Sequence, residues 1–234
     1  LIMDIKVGNG AFMKTISEAK TLAAELKKIG SAFKIKTDIT FSNMSQPLGR
    51  YAGLGCEIIE SINCLKGDGP NDLIELSLEL GSKVILQSKK ADNKNEAKKK
   101  MLETINDGSA LKKFEEMIIA QGGNFEQLQM SQSNTKNKLY ICSDRDGYIS
   151  SMDTEKIGWA LVEMGCGRRR DKDLLDYTAG IKFNVKVGET VKKGEKVYTL
   201  FGKNIKKLES AKSMLHKTFK VSSETILKPK LILS

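Results

Sequence analysis

The start of the chain shows two hydrophobic periods in succession. Ile2, Met3, Ile5 and Val7 make a short apolar run that ends in Gly8-Asn9-Gly10, which reads as a strand entering a glycine turn, the usual edge of an α/β site. Thr15 and Glu18 then form a capping-box pattern, with Ile16, Leu22, Leu26 and Ile29 on one helical face and Gly30 as the close. Phe33, Ile35, Thr37 and Ile39 alternate with Lys34, Lys36 and Asp38, the period of a strand. The order β-turn-α-β predicts a right-handed crossover in a largely parallel sheet.

Beyond it lies a turn-rich loop, Ser42-Asn43-Met44-Ser45-Gln46-Pro47-Leu48-Gly49. A helix is predicted from about Gly55 to Leu65, with Ile58, Ile59, Ile62 and Leu65 inward and Gly67 past its end. After Asp68-Gly69-Pro70, Asn71 is placed to cap a long helix carrying Leu73, Ile74, Leu76, Leu80, Val84 and Ile85. Two more helices are predicted over 94–106 and 109–120, closed by Gly122-Gly123. Residues 124–137 are rich in Gln, Asn and Ser and mark a linker between a first domain, 1–123, and a second, 138–234. In the second, strands are expected at Lys138–Cys142 and Gly147–Met152. A helix capped by Asp153 or Thr154 carries Ile157, Trp159, Ala160, Val162 and Met164. Short strands follow near 180–186 and 196–201, with a last helix near 205–216.

With 234 residues, 40% of them hydrophobic, the chain can bury a real core as one large or two small domains. No apolar run approaches the ~20 residues of a membrane span, and the charged start Asp4-Ile5-Lys6 is unlike a secretory signal. Leu1 opens directly into a core strand, which leads us to expect a piece of a longer protein. The four cysteines contain no C-x-x-C pair and the one histidine is His216, so reduced thiols in a cytoplasmic protein are expected rather than a zinc site or a disulfide framework. The net charge of +10 is spread out; Lys98-Lys99-Lys100 and Arg168-Arg169-Arg170 have acidic neighbours and no interleaved aromatics, the pattern of solvated surface rather than of a nucleic-acid face.

Four segments carry a family resemblance in one order along nearly the whole chain. They are Asp4-Ile5-Lys6-Val7-Gly8-Asn9-Gly10-Ala11-Phe12-Met13, Met44-Ser45-Gln46-Pro47-Leu48-Gly49-Arg50, Lys66-Gly67-Asp68-Gly69-Pro70-Asn71-Asp72-Leu73, and Met164-Gly165-Cys166-Gly167-Arg168-Arg169, continued by Asp176-Tyr177 and Gly188-Glu189-Thr190-Val191. These resemble the thymidine and pyrimidine-nucleoside phosphorylases. The resemblance implies an α/β fold: the later half of a mixed-sheet phosphorylase domain, then a β-rich α+β C-terminal subdomain. It implies reversible phosphorolysis of a pyrimidine nucleoside by inorganic phosphate, a homodimer in the full-length protein, and neither nucleic acid nor membrane as partner.

The resemblance places Phe12 in the wall of the base pocket, where the residues alone suggest a core aromatic after a turn. It also implies a structural potassium ion held by the backbone carbonyls of Leu48 and Tyr51 and the side chain of Glu60, a residue that by itself reads as an exposed helix position, with companion ligands from the phosphate loop that precedes the matched segment in the family. In the family the phosphate loop and the Arg, Ser and Lys that hold the pyrimidine ring precede the segment matched here, so no catalytic residue is assigned in this chain. Asp4 and Lys6 are given no role, and the arginine run is expected to be structural or surface.

Three other readings stand beside this one. A phosphoribosyltransferase would share the scaffold but needs acidic magnesium ligands. The run Val187-Gly188-Glu189-Thr190-Val191-Lys192-Lys193-Gly194-Glu195 resembles a biotinyl or lipoyl carrier hairpin, but without the modified-lysine context such a module requires. A basic nucleic-acid binder would show steep salt dependence of oligonucleotide binding.

Overall fold

In a computed structural model of the chain, which describes residues 1–130 and 137–233, strand β1 (Ile2–Val7) buries Ile5 and Val7 on one face. Helix α1 (Ile16–Ala32) begins at the expected capping box. The Glu18 N–H donates to Thr15 Oγ1 at 3.3 Å, and the Thr15 N–H donates to Glu18 Oε2 at 3.0 Å. Strand β2 (Asp38–Asn43) lies parallel to β1, with Ile2 opposite Asp38 and Val7 opposite Asn43.

Two expectations here are corrected. The helix does not close at Gly30; it runs to Ala32, and the strand predicted over 33–39 starts only at Asp38. The Ile35 N–H returns to the Gly30 carbonyl at 2.8 Å and Lys34 takes φ 56, so this stretch closes the helix instead of entering a ladder. Phe33 and Ile35 are left exposed, their alternation without a sheet to serve it. The buried stripe of α1 is also displaced. Ala19 and Ala23 pack with Ile5 and Val7, and Ile16 and Leu26 of the expected face lie against them, whereas Leu22 and Ile29 face outward. Small residues at that spacing let the helix lie close on β1 and β2.

Strand β3 (Tyr51–Ala52) is followed by α2 (Leu54–Leu65), α3 (Asn71–Gln87), α4 (Lys94–Asn106), α5 (Ser109–Ala120) and α6 (Phe125–Met130). Helices α4 and α5 fall where the periodicity predicts. Asn71 is the first residue of α3 rather than its cap, because Pro70 holds the extended N-cap conformation, φ −65 and ψ 138. In α2, Ile62 is buried but Ile58 is exposed. The first part of the polar segment 124–137 is helical, anchored by buried Phe125 against Phe114 with ring centroids 6.5 Å apart. The remainder of the expected linker, 131–136, falls outside the described residues.

Then come β4 (Asn137–Cys142), β5 (Gly147–Met152), α7 (Thr154–Met164), β6 (Gly180–Phe183), β7 (Thr190–Val191), β8 (Lys196–Gly202), α8 (Ile205–Leu215), β9 (Phe219–Ser222) and β10 (Ile232–Leu233). Among the described residues the strands form three sheets, ordered β1-β2-β10, β3-β6-β8-β4 and β7-β5-β9. The architecture is α/β with mixed sheets: β1 and β2 are parallel, and the other pairings are antiparallel. The larger core lies between the second and third sheets and helices α7 and α8. It is centred on Phe183, Tyr198, Ile149, Ile181 and Leu200, with edge-to-face contacts from Tyr198 to Phe183 and Phe219.

The two ends of the chain exchange strands. β3, from the first part, pairs with β6 of the second; β10, from the last residues, returns to pair with β2. This lacing fixes the loop between β2 and β3 against both parts of the molecule.

Candidate functional site

The strand-end turn and the β2–β3 loop lie side by side at the carboxyl ends of the two parallel strands, where α/β proteins gather their sites. The Met44 N–H donates to the Val7 carbonyl at 2.6 Å, and the Gly10 N–H donates to the Met44 carbonyl at 3.0 Å. Gly8 sits at φ 129, and a Cβ there would lie 2.6 Å from Ser45 Oγ, so only glycine permits this approach. Asn9 fastens the turn to α7: its Nδ2 donates to the Met152 carbonyl at 2.9 Å, and its Oδ1 accepts from the Thr154 N–H at 2.8 Å. Phe12 projects from this turn, 98% exposed. The structure therefore does not use it as a core aromatic.

Glu60 is 5% exposed, not the outward helix position its sequence context suggested. Its Oε1 accepts the Arg50 N–H at 2.8 Å. Burial pushes the Glu60 carboxyl above its ordinary range; the nearby Arg50 and Tyr51 N–H groups and Lys186 pull it back only in part, and Asp72 adds to the rise. Gly49, at φ 69, packs against Glu60 Oε2, leaving no room for a Cβ.

Tyr51 faces Lys182 in the β3–β6 ladder, and the Phe183 N–H donates to the Arg50 carbonyl at 2.8 Å. Tyr51 is thus at a non-hydrogen-bonded position, and its N–H and carbonyl both turn away from β6. Among the described residues no N–H donates to the Leu48 carbonyl. Leu48, Tyr51 and Glu60 line one cavity of about 350 Å³, shared with Gly10, Met44 and Thr154. The structure brings these three sequence-derived residues together next to the turn that carries Phe12. Two carbonyls and one desolvated carboxylate make a donor set of the kind a weakly charged monovalent cation accepts.

Side chains that the sequence did not single out hold this loop. Lys186, 6% exposed, sends Nζ to Asp72 Oδ2 at 2.6 Å and to the carbonyls of Pro47 at 2.5 Å and Gly49 at 3.0 Å. Asp72 Oδ2 also accepts the Gly49 N–H at 3.1 Å. The Arg50 guanidinium grips Glu189 with both arms, at 2.9 and 2.5 Å, and reaches the Asn184 carbonyl at 3.3 Å. Glu189 Oε2 accepts the Lys186 N–H at 3.0 Å, and the Val187 N–H donates to Gln46 Oε1 at 3.0 Å. Burial lowers Lys186 below the ordinary lysine range, outweighing the attraction of Asp72 and Glu189. Burial would raise Glu189, but Arg50 outweighs it and holds the carboxyl low.

The sequence carried part of this signal. Arg50, Asp72 and Glu189 fall inside segments that bear the family resemblance; Lys186 is one lysine among many until its burial is seen. Asp4 is taken up locally, paired with Lys6 and accepting Ser42 Oγ at 2.7 Å. In the arginine run, Arg169 pairs with Glu163 at 2.9 Å on the surface.

Comparison with known proteins gives the chain's relatives. Residues 148–222 match the family described as pyrimidine nucleoside phosphorylase C-terminal domain. The chain is 35% identical to the pyrimidine-nucleoside phosphorylase of Geobacillus stearothermophilus over 235 aligned positions, covering 99% of this chain and 54% of that protein. It is 38% identical over 202 positions to the Staphylococcus epidermidis (strain ATCC 12228 / FDA PCI 1200) protein of that name, covering 86% of this chain and 47% of that one. For the Staphylococcus aureus (strain USA300) protein the figures are 37% over 223 positions, 90% and 51%. The chain spans about half the length of these curated relatives.

Proposed function

Because the chain is the counterpart of the C-terminal part of the pyrimidine-nucleoside phosphorylases, we propose that it forms one wall of a nucleoside phosphorolysis site. In that reaction an oxygen of inorganic phosphate bonds to the anomeric carbon while the bond from that carbon to N1 of the pyrimidine breaks. The electron pair leaves with the base, which ends with a proton on N1, and the sugar leaves as (deoxy)ribose 1-phosphate. Thymidine and uridine are the nucleosides in view. Such chemistry asks for positioning and charge stabilisation rather than a covalent nucleophile.

The observation that carries this reading is the convergence of Leu48, Tyr51 and Glu60 on one cavity, beside the strand-end turn that presents Phe12. Phe12 would pack on the base from that turn. Leu48, Tyr51 and Glu60 would hold a potassium ion, which supplies a structural charge neutralising Glu60. The groups that bind the phosphate and grip the base belong, in this reading, to a segment ahead of residue 1. Homodimerisation and a cytoplasmic location are part of the same proposal.

The proposal is tested by incubating the purified 234-residue chain with thymidine and phosphate and following thymine by chromatography. No release is expected from the chain alone. Phosphate-dependent release by the chain alone would contradict this division of labour.

A further inference from the structure

Lys186 stands apart among the lysines of this chain. It comes from the second part of the molecule and is almost wholly buried. Its ammonium is spent on the loop that carries two of the three proposed cation ligands: it takes the carbonyls of Pro47 and Gly49, on either side of Leu48, and Asp72 Oδ2. Asp72 in turn accepts the Gly49 N–H, and the next N–H group, of Arg50, goes to Glu60.

We propose that Lys186 is a positioning residue for the cation site: a tethered internal cation that fixes the 47–51 backbone so that the Leu48 and Tyr51 carbonyls and the Glu60 carboxylate are presented together. The inference rests on the potassium reading given above. The physical reason is the arrangement of the loop's acceptors. Lys186 satisfies the carbonyls flanking Leu48 from one side, and the Leu48 carbonyl, which takes no N–H among the described residues, is left for a ligand. Without the ammonium, the Pro47 and Gly49 carbonyls would be buried acceptors lacking a donor. The loop would turn to satisfy them, and the Leu48 and Tyr51 carbonyls would move with it. Lys186 reaches no cation itself; it acts through the backbone, as the outer partners of metal ligands do.

The test uses this chain joined to the upstream half of the Geobacillus stearothermophilus phosphorylase, and compares that wild-type protein with its Lys186→Met variant, which keeps the length of the side chain and removes its charge. Thermal unfolding is followed as potassium replaces sodium at constant ionic strength, together with hydrogen exchange of the Gly49, Arg50 and Tyr51 amides. In the wild type, potassium should raise the unfolding midpoint and slow those amides. In Lys186→Met the potassium concentration needed should rise about 10- to 100-fold, the usual cost of removing an outer support of a metal ligand. A purely structural role would lower the midpoint in both salts and leave the potassium increment intact; that result overturns the inference. A wild type indifferent to potassium sinks the cation reading and this inference with it, and is told apart by the control titration. Should Lys186→Met fail to fold, Asp72→Asn weakens the same anchor more gently. It should shift the potassium dependence in the same direction, and an unchanged dependence counts against the proposal.

Discussion

Arg50 and Glu189 are 139 residues apart in sequence and joined by a two-armed ion pair, with Nη1 2.9 Å from Oε2 and Nη2 2.5 Å from Oε1. The contact ties the entrance of β3 to the turn before β7, and so ties the first sheet's loop to the second core. Lys186 to Asp72, at 2.6 Å, repeats the connection a few residues away. Both clamps bear on residues 47–50, the backbone that leads into the proposed cation site.

Glu189→Ala should therefore destabilise the chain, although both side chains keep some solvent access. A loss of about 1–2 kcal/mol is expected, above that of an ordinary surface pair because the geometry is two-armed and the Lys186 N–H also loses its acceptor. Arg50→Lys should recover little, since a single ammonium cannot make both contacts. Urea unfolding of the three proteins measures this, and an unchanged midpoint in Glu189→Ala would remove the clamp from the account.

Glu60 should leave a pH signature. Its folded value is raised by burial above the ordinary 4.5, so its contribution to stability is fully present below that ordinary value and is lost as pH rises through the folded one. In sodium buffer, wild type should lose stability relative to Glu60→Gln as pH rises from below 4.5 through the raised folded value. Potassium should shrink that loss by favouring the carboxylate. Parallel pH profiles for the two proteins in sodium would show that Glu60 is not held at a cost.

Phe12 separates packing from function. At 98% exposure its removal should cost the fold little, so Phe12→Ala should unfold within about 0.5 kcal/mol of wild type. Phe183→Ala, in the fully buried core, should lose about 3–5 kcal/mol. Denaturant titration distinguishes the two directly. A large loss for Phe12→Ala would mean that it packs on this chain rather than on a ligand.

The thiols should react in order of exposure. Cys142 is exposed, whereas burial pushes Cys56 and Cys166 up to about 12 and Cys64 to about 11. Brief iodoacetamide treatment of the folded chain should label Cys142 first, as mass spectrometry of the digest would report. Early labelling of Cys56 would contradict its burial.

The opening strand and capping box were legible because local chemistry decides them, and the helices over 94–106 and 109–120 because long periodic segments announce themselves. Phe33 and Ile35 misled because alternation marks a strand only where a ladder partner exists. Glu60 was visible as a candidate through the family resemblance alone. Its burial goes with Gly49 and the Arg50 N–H, which the tertiary fold and not a sequence period brings to it. Lys186 was hidden for the same reason: its partners at 47, 49 and 72 are brought to it by the fold. The return of β10 to the first sheet was equally unreadable, since two residues after a proline carry no period.

The central claim is tested most directly by joining the upstream half of the Geobacillus stearothermophilus phosphorylase to residue 1 of this chain and measuring thymine release from thymidine. The account predicts phosphate-dependent turnover by the joined protein, sharply reduced in Phe12→Ala and dependent on potassium through Glu60. A folded joined protein that releases no thymine, or one whose turnover ignores both residues, would contradict it.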